Sequence, residues 1–248
     1  MTDRGIIMIG PMVKALLDGK KTQTRRLAWR PKKPKERYAP GDLLVSYGDK
    51  PVRKGESFKP TVWQKAQPGD RLWVRETWVQ GWPTNDGGDI QDTDEHGNDL
   101  PMKIWYRADG DLDVWINRDN DEKQNVPWRP SIHMPRWASR LTLIVTEVRR
   151  QRLQEISEED ALAEGIYRQD PSTEEIAAGD CTEDDFVFLA PGTRQGYGPR
   201  PDDPQWGPTA AFAYRCLWDS LHGKGTWERN EEVVVLSFRC LKENIDQR

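Results

Sequence analysis

The chain has 248 residues and a mass of 28.7 kDa, and its 37 Lys and Arg against 41 Asp and Glu give a formal net charge of −4. Its 12 Trp, 6 Tyr and 5 Phe exclude a chain that is disordered throughout. No apolar run approaches the ~20 residues of a membrane span, and no apolar signal segment follows the first residues. We therefore expect one or two folded domains that do not bind a membrane.

The cysteines and histidines bear on the compartment and on metals. Cys181, Cys216 and Cys240 are odd in number and far apart, which is not the pattern of a disulfide framework. A reducing compartment suits free cysteines, so we expect a cytoplasmic protein. With only three His besides, a closed zinc site is not expected, and the sequence implies no metal and no organic cofactor.

The small net charge hides two segments of opposite sign. Residues 11–37 contain ten Lys and Arg against two acids, whereas residues 153–185 contain twelve acids against one Arg. A basic surface attracts phosphate or nucleic acid whatever the total charge of the chain. Alternatively, the two segments neutralise each other or are solvated faces.

The first elements are predicted to be a strand, a helix and a second strand. Residues 6–9 form a short apolar run that is typical of a buried strand. Pro11 suits the first turn of a helix, and Gly19 suits its C-terminal cap. The alternation of Thr and Arg with Gln over residues 22–26 predicts that the chain leaves the helix as a strand.

Turn residues organise the middle of the chain. Pro-Gly-Asp occurs at 40–42 and at 68–70, and each copy predicts a turn followed by a strand. Residues 29–68 are otherwise rich in Lys and Pro and predict a loop. Residues 102–106 and 114–116 are expected to pair as a hairpin.

The last part of the chain has the clearest periodicity. Residues 140–148 predict a strand, Ser157 is expected to cap a short helix that ends at Gly165, and residues 212–221 form a helical apolar stripe before a final strand at 233–241. Strands with few short helices and long loops predict an α+β fold, a small β-barrel with short flanking helices and long loop insertions.

The densest group of reactive side chains lies between Asp18 and Arg26. It is not a phosphate-binding P-loop, because the GxxxxGK[ST] spacing is missing and a helix precedes the strand. Lys21 lies near Arg25 and Arg26, and like charge favours a neutral amine that could take a proton from Thr24. The same residues also suit a plain anion-binding or solvated basic turn.

Glu164 is the natural acidic partner of this group. It lies at the predicted C-terminal end of the Ser157 helix, where the helix dipole is negative and disfavours an ionised carboxylate. Such a side chain could serve as a proton donor. Alternatively, Glu164 faces water like the other acids of its segment.

Three segments together resemble the ASCH domain of the PUA-like superfamily. They are the basic run Gly-Lys-Lys-Thr-Gln-Thr-Arg-Arg at 19–26, the strand at 68–74 and the strand at 233–241. Within that superfamily, the small bacterial N4-acetylcytidine amidohydrolases share the motif Gly-x-Lys-Thr-x-Thr-x-Arg. The motif is similar to Gly19, Lys21, Thr22, Thr24 and Arg26 of this chain.

The resemblance implies a single PUA-like domain over residues 1–248, of a larger type that phages and prophages also encode. The matching core pieces are 6–26, 68–78, 128–166 and 212–241, and the insertions are 27–67, 79–127 and 167–211.

The resemblance also implies site residues and an activity. In that family a Lys accepts a proton, a Thr is the nucleophile and a Glu donates a proton, and these roles fall on Lys21, Thr24 and Glu164, which should line one concave site. The implied reaction removes an acyl group from the exocyclic amine of a nucleobase or nucleoside resembling N4-acetylcytidine. The alternative is a non-catalytic module that binds RNA or a modified base in DNA.

Substrate-binding residues are expected among the paired Trp and Arg side chains, because bases stack on aromatic rings and guanidinium planes. The alternative is a buried Trp with an Arg packed over its ring. Glu76 is expected at the surface beside a neighbouring Arg, or else inward as a second acid. The expected binding residues are Thr22, Arg26, Trp73, Arg136 and Trp137.

Overall fold

The structure is a computed structural model that describes residues 1–31, 58–82, 92–110, 128–170, 178, 187–191 and 206–247. In these ranges the chain is a mixed α+β protein with a mainly sheet core and few helices. The α+β class is as predicted, but no closed barrel is found among the described strands. In the same ranges, no helix is both long enough and apolar enough to cross a membrane.

The described helices are α1 (Gly10–Leu17), α2 (Glu158–Ala163) and α3 (Ala210–His222). The described strands are β1 (Asp3–Ile7), β2 (Gln23–Leu27), β3 (Trp29–Pro31), β4 (Phe58–Pro60), β5 (Arg71–Arg75), β6 (Trp78–Gly81), β7 (Lys103–Tyr106), β8 (Thr142–Arg152), β9 (Tyr167–Gln169), β10 (Val187–Leu189), β11 (Trp206–Gly207) and β12 (Glu232–Leu241).

The chain divides into two compact units. The first contains Met1–Thr2, Ala15–Asp70 and Ile144–Cys240, and the second contains Asp3–Lys14, Arg71–Leu143 and Leu241–Arg248. The prediction of a single domain over the whole chain is not tested by this division and stays a prediction.

The core of the first unit is built on β12. This strand lies between β8 and β2, and it runs antiparallel to β2 with Leu236 opposite Thr24 and Val235 opposite Arg25. Four consecutive residues, 233–236, are buried, so both faces of β12 are covered. A continuous apolar run of this kind is expected of a strand that is packed on both sides. Helix α2 contacts both β2 and α3.

Helix α2 has the ends that its sequence predicts. The Ser157 hydroxyl accepts a hydrogen bond from the Asp160 backbone N–H at 3.1 Å, which caps the first turn. Gly165 follows the helix with φ of 101°, a conformation that favours glycine. A Cβ at Gly165 would also lie 3.4 Å or less from Ala15 and Lys21. The chain therefore turns sharply just after Glu164.

In the second unit, β1 and β5 run parallel with Gly5 opposite Trp73. A Cβ at Gly5 would lie 2.9 Å from both the Trp73 ring and Arg75 Cδ. The Arg75 guanidinium carbon lies 5.2 Å from the centroid of the Trp73 ring. Trp73 therefore packs closely over a glycine, and an arginine covers its ring.

One expected connection differs in the structure, and another falls partly outside the described residues. Strand β7 pairs with β6, and its expected partner, residues 114–116, lies outside the described residues. The predicted loop at 29–68 contains β3 and β4, which pair with each other. Strand β5 begins at Arg71, directly after the Pro-Gly-Asp turn at 68–70, as predicted. The other Pro-Gly-Asp copy lies outside the described residues.

Gly5→Ala should destabilise the protein by about 1–3 kcal/mol, because the added methyl group overpacks the site against Trp73 and Arg75. The free energy of unfolding in urea measures the effect. Gly10→Ala is the matched control, since its Cβ would meet nothing closer than Ala108 at 3.9 Å. Equal stability of the two variants would contradict the close packing of Trp73 over Gly5.

Candidate functional site

Lys21 is buried, with 2% of its surface exposed, although lysine is rarely buried without a partner. Its Nζ donates to Glu164 Oε2 at 2.7 Å and to the Glu164 backbone carbonyl at 2.8 Å. The second bond satisfies a carbonyl at the C-terminal end of α2, where the helix itself offers no partner. One amine therefore binds both the side chain and the backbone of a residue 143 positions away.

Glu164 lies between two cations. Its side chain is nearly fully buried, and it occupies the C-terminal cap position of α2. While Oε2 accepts from Lys21, Oε1 accepts from Arg25 Nη1 at 3.1 Å. Each oxygen of the carboxylate thus has its own positively charged donor, which offsets the cost of removing the charge from water.

Arg25 is held by further partners on both sides. Its Nη1 also donates to Gln23 Oε1 at 2.7 Å, and its Nη2 donates to Asp160 Oδ2 at 2.6 Å. Asp160 precedes Glu164 by four residues, so both carboxylates project from one face of α2. Arg149 donates to Asp160 Oδ1 at 2.5 Å and carries the network from α2 to β8.

Aromatic side chains of helix α3 pack over this network. The Tyr214 ring centroid lies 5.6 Å from the Arg25 guanidinium carbon, and the Trp218 ring packs against Tyr214 at 6.3 Å between centroids. Burial raises the pKa of the Tyr214 hydroxyl well above its usual value. Tyr214 therefore stays protonated and adds no negative charge beside Arg25.

The Lys21 amine holds its proton less tightly than an ordinary lysine. Burial is the largest cause and lowers the pKa of Lys21, and Arg26 and Arg25 lower it further by like charge. The Glu164 carboxylate opposes these effects without cancelling them. The sequence-based expectation gave the same direction, but it relied on like charge and missed burial as the larger cause.

The structure brings Lys21 and Glu164 together but not Thr24. Thr24 is buried and lies opposite Leu236, and because side chains alternate along a strand, it is on the other face of β2 from Arg25. Among the described hydrogen bonds, none links the Thr24 hydroxyl to Lys21 or Glu164. Direct contact of all three expected catalytic groups is not seen.

Thr22 and Arg26 lie in the same unit as this cluster. The Thr22 side chain is exposed, and its backbone N–H donates to the Ala163 carbonyl at 2.8 Å, which connects β2 to α2. Arg26 lies opposite Val234 on β12 and interacts electrostatically with Glu164. Arg26 is therefore close enough to influence the charge of the site.

Trp73 and Arg136 belong to the second unit and have structural partners there. Trp73 is half-buried and packs over Gly5, and Arg75 covers its ring. Arg136 forms ion pairs with Asp3 at 2.7 Å and with Asp246 at 2.6 Å. These two ion pairs engage the Arg136 guanidinium.

Trp137 is the one expected binding residue with a largely free ring surface in the described part of the chain. Its side chain is 57% exposed, and it meets the buried Trp78 edge-on with 6.0 Å between ring centroids. The Asn244 side chain donates to the backbone carbonyls of Arg136, Trp137 and Ser139, so the backbone beneath this ring is fixed.

The expectation of a surface position for Glu76 is wrong. Glu76 is 1% exposed, and Arg140 donates from Nε and Nη2 to its two oxygens at 3.0 Å each. The Arg140 guanidinium carbon lies 3.9 Å from the Tyr106 ring centroid. Burial raises the pKa of Glu76 and outweighs the effect of Arg140. The partner is 64 positions away, so the neighbouring sequence gives no sign of it.

Sequence reasoning missed the second half of the cluster around Glu164. Gln23, Arg25, Arg149 and Asp160 were not proposed as site residues, although two signals were present. Asp160 lies one helical turn before Glu164, so the two share a face of α2. Gln23 and Arg25 are two residues apart in β2, so they share a face of that strand.

The chain was also compared with known proteins. No protein-family model, no curated protein and no solved structure matches it. The resemblance to the ASCH domain therefore stays a prediction from the motif residues. In the described part of the chain, no group of three or more His, Cys, Asp or Glu side chains is arranged to hold a metal ion.

Glu164→Gln should cost about 3–5 kcal/mol in the free energy of unfolding, because it leaves Lys21 buried without a counter-charge and removes one of the two carboxylates that bind Arg25. Lys21→Met should cost less, since Glu164 keeps its bond to Arg25. Urea denaturation of each variant measures the difference.

The control for this comparison is an exposed ion pair. Arg168 Nε donates to Asp170 Oδ1 at 2.6 Å with both side chains open to water, so Asp170→Asn should cost less than about 1 kcal/mol. A larger loss from Lys21→Met than from Glu164→Gln would contradict the description of Glu164 as shared between two cations.

Proposed function

We propose that this protein is an amidohydrolase with a PUA-like fold that removes an acyl group from the exocyclic amine of a nucleobase or nucleoside, with N4-acetylcytidine as the representative substrate. The observation that carries the proposal is the buried hydrogen bond between Lys21 and Glu164. Cleavage of an amide requires a base that activates the nucleophile and an acid that protonates the leaving amine, and the proposal assigns these roles to Lys21 and Glu164.

The reaction begins at Thr24. Neutral Lys21 takes the proton from the Thr24 hydroxyl, and the Thr24 oxygen attacks the carbonyl carbon of the acyl group. The tetrahedral intermediate then collapses, the C–N bond breaks, and the exocyclic amine leaves with an added proton. Water hydrolyses the acyl-Thr24 ester, which releases acetate and restores the hydroxyl.

Glu164 connects the first proton transfer to the second. An amine leaves poorly unless it gains a proton, so the proton that Lys21 removes from Thr24 must reach the leaving nitrogen. Lys21 Nζ and Glu164 Oε2 are 2.7 Å apart, which allows Glu164 to accept that proton and deliver it. Burial of both groups strengthens their interaction and limits proton loss to water.

The mechanism requires Thr24 to approach Lys21 when substrate binds. Its hydroxyl must come within hydrogen-bond distance of Lys21, directly or through one water, when substrate is bound. Catalytic hydrogen bonds are often long or poorly aligned without substrate and tighten in the substrate complex. The lowered pKa of Lys21 fits its role as base, because a larger fraction of the amine is neutral near pH 7.

Purified protein should release acetate from N4-acetylcytidine without added metal. Thr24→Val, which has no hydroxyl, should lower kcat by at least about 100-fold, whereas Thr24→Ser should keep measurable turnover. Lys21→Met and Glu164→Gln should each cost as much as Thr24→Val, and the losses should not add, because the three groups act as a unit. Circular dichroism checks that each variant is folded.

Lys20→Met is the matched control for Lys21→Met. Lys20 is the neighbouring amine, is exposed and lies over the Tyr167 ring, so its removal should leave turnover close to that of the wild type. Failure of the wild-type protein to release an acyl group from any of a panel of N-acylated nucleosides would reject the hydrolase.

A second candidate function is a non-catalytic module that binds RNA or a modified base, and Trp137 favours it. The ring is exposed above a fixed backbone, and Arg129 and Ile132 on the neighbouring turns are exposed as well. A base can stack on such a ring, and a nearby guanidinium can contact phosphate.

Trp137→Ala should weaken binding of a single-stranded RNA oligonucleotide by roughly 5- to 100-fold, because stacking contributes about 1–3 kcal/mol per base. Fluorescence anisotropy at several salt concentrations measures the affinity. Phe212→Ala is the control, since Phe212 is an exposed aromatic residue of the first unit. Equal affinity of wild type and Trp137→Ala would remove Trp137 from the binding surface.

A further inference from the structure

When a base is hydrogen-bonded to a buried carboxylate, release of its proton leaves that carboxylate without a counter-charge. When Lys21 releases its proton, Glu164 loses the positive charge that lies 2.7 Å from Oε2. An isolated ionised carboxylate is costly in the protein interior, so Lys21 releases its proton readily only if a second positive charge stays beside Glu164.

Arg25 supplies a second positive charge to the same carboxylate. Its Nη1 donates to Glu164 Oε1, on the opposite side from Lys21. The guanidinium group does not lose its proton in proteins, so its charge is present whatever the state of Lys21.

The position of Arg25 does not depend on Lys21. Gln23 Oε1 accepts from Nη1, and Asp160 Oδ2 accepts from Nη2. Asp160 is in turn held by Arg149 through both of its oxygens. The guanidinium plane is therefore fixed by Gln23 of β2 and by Asp160 of α2, and Arg149 of β8 fixes Asp160 in turn.

We propose that Arg25 is a positioning residue that keeps a fixed positive charge beside the Glu164 carboxylate while Lys21 releases its proton, so that Lys21 can act as the base and Glu164 can receive the proton next. This inference rests on the roles proposed for Lys21 and Glu164. The motif Gly-x-Lys-Thr-x-Thr-x-Arg leaves position 25 open, so the resemblance assigns Arg25 no role.

Each of the other described titratable groups around Glu164 adds positive charge as Arg25 does, is neutralised by an ion pair, or is uncharged. Arg26 on β2 adds positive charge, and it lowers the pKa of Lys21 as Arg25 does. On α2, Asp160 is neutralised by Arg25 and by Arg149 of β8. On α3, Tyr214 stays protonated, and burial lowers the pKa of His222, which favours its neutral form.

The test is a pH titration of the Lys21 amine by ¹⁵N NMR, in the full-length protein and without substrate. Lys21→Met identifies the resonance by its loss. In Arg25→Gln the midpoint should rise by roughly one pH unit or more, because a positive charge across one carboxylate from the amine is removed. Arg25→Lys, which keeps the charge, should restore most of the wild-type midpoint.

Arg149→Gln is the matched control, since Arg149 binds Asp160 and makes no described bond to Glu164. It should leave the Lys21 midpoint within a few tenths of a pH unit of the wild type. If Arg25→Gln does not fold, Arg25→Gln with Asp160→Asn removes one charge of each sign. The midpoint should still rise in this double variant, because Arg25 contacts Glu164 directly and Asp160 does not.

An unchanged midpoint in both Arg25→Gln and the double variant would overturn the inference, whether or not the protein is a hydrolase. A raised midpoint in a protein that releases no acetate supports the effect of Arg25 on the pair and rejects the hydrolase alone. If acetate is released, the acidic limb of the pH–rate profile should move upward in Arg25→Gln by the same shift as the Lys21 midpoint.

Discussion

The arrangement of the first unit depends on the burial of one carboxylate, that of Glu164, between an amine and a guanidinium group. A buried ion must be matched within hydrogen-bond distance, and here Lys21 and Arg25 meet the two oxygens from opposite sides. This requires the C-terminal end of α2 to lie at a fixed position beside β2. The Ser157 cap and the left-handed turn at Gly165 set where α2 begins and ends.

The second unit solves the same problem with different chemistry. Glu76 is as deeply buried as Glu164, but a single arginine, Arg140, binds both of its oxygens. An arginine fork satisfies a carboxylate without a lysine, and it leaves no group that readily gives up a proton. The Glu76–Arg140 ion pair therefore suits a structural role, whereas the Lys21–Glu164 pair contains the amine that the proposed proton transfer needs.

Local signals predicted the elements near the site better than its contacts. Ser157 and Gly165 fixed the ends of α2, because capping depends on residues within one turn. The expectation that Lys21 and Glu164 lie close together came from the family resemblance, whereas Arg25 and Asp160 were missed because either could equally have faced water. Whether a charged residue is buried depends on what packs over it, and here that cover is α3, far along the chain. The same limit explains the error on Glu76.

The two bonds from Lys21 to Glu164 have a consequence for how the amine behaves when it changes charge. A protonated lysine has three N–H donors, and after losing one proton it keeps two donors and gains a lone pair. One remaining donor can hold the backbone carbonyl of Glu164, which does not move with the carboxylate. Lys21 is therefore tethered to the end of α2 independently of its ion pair.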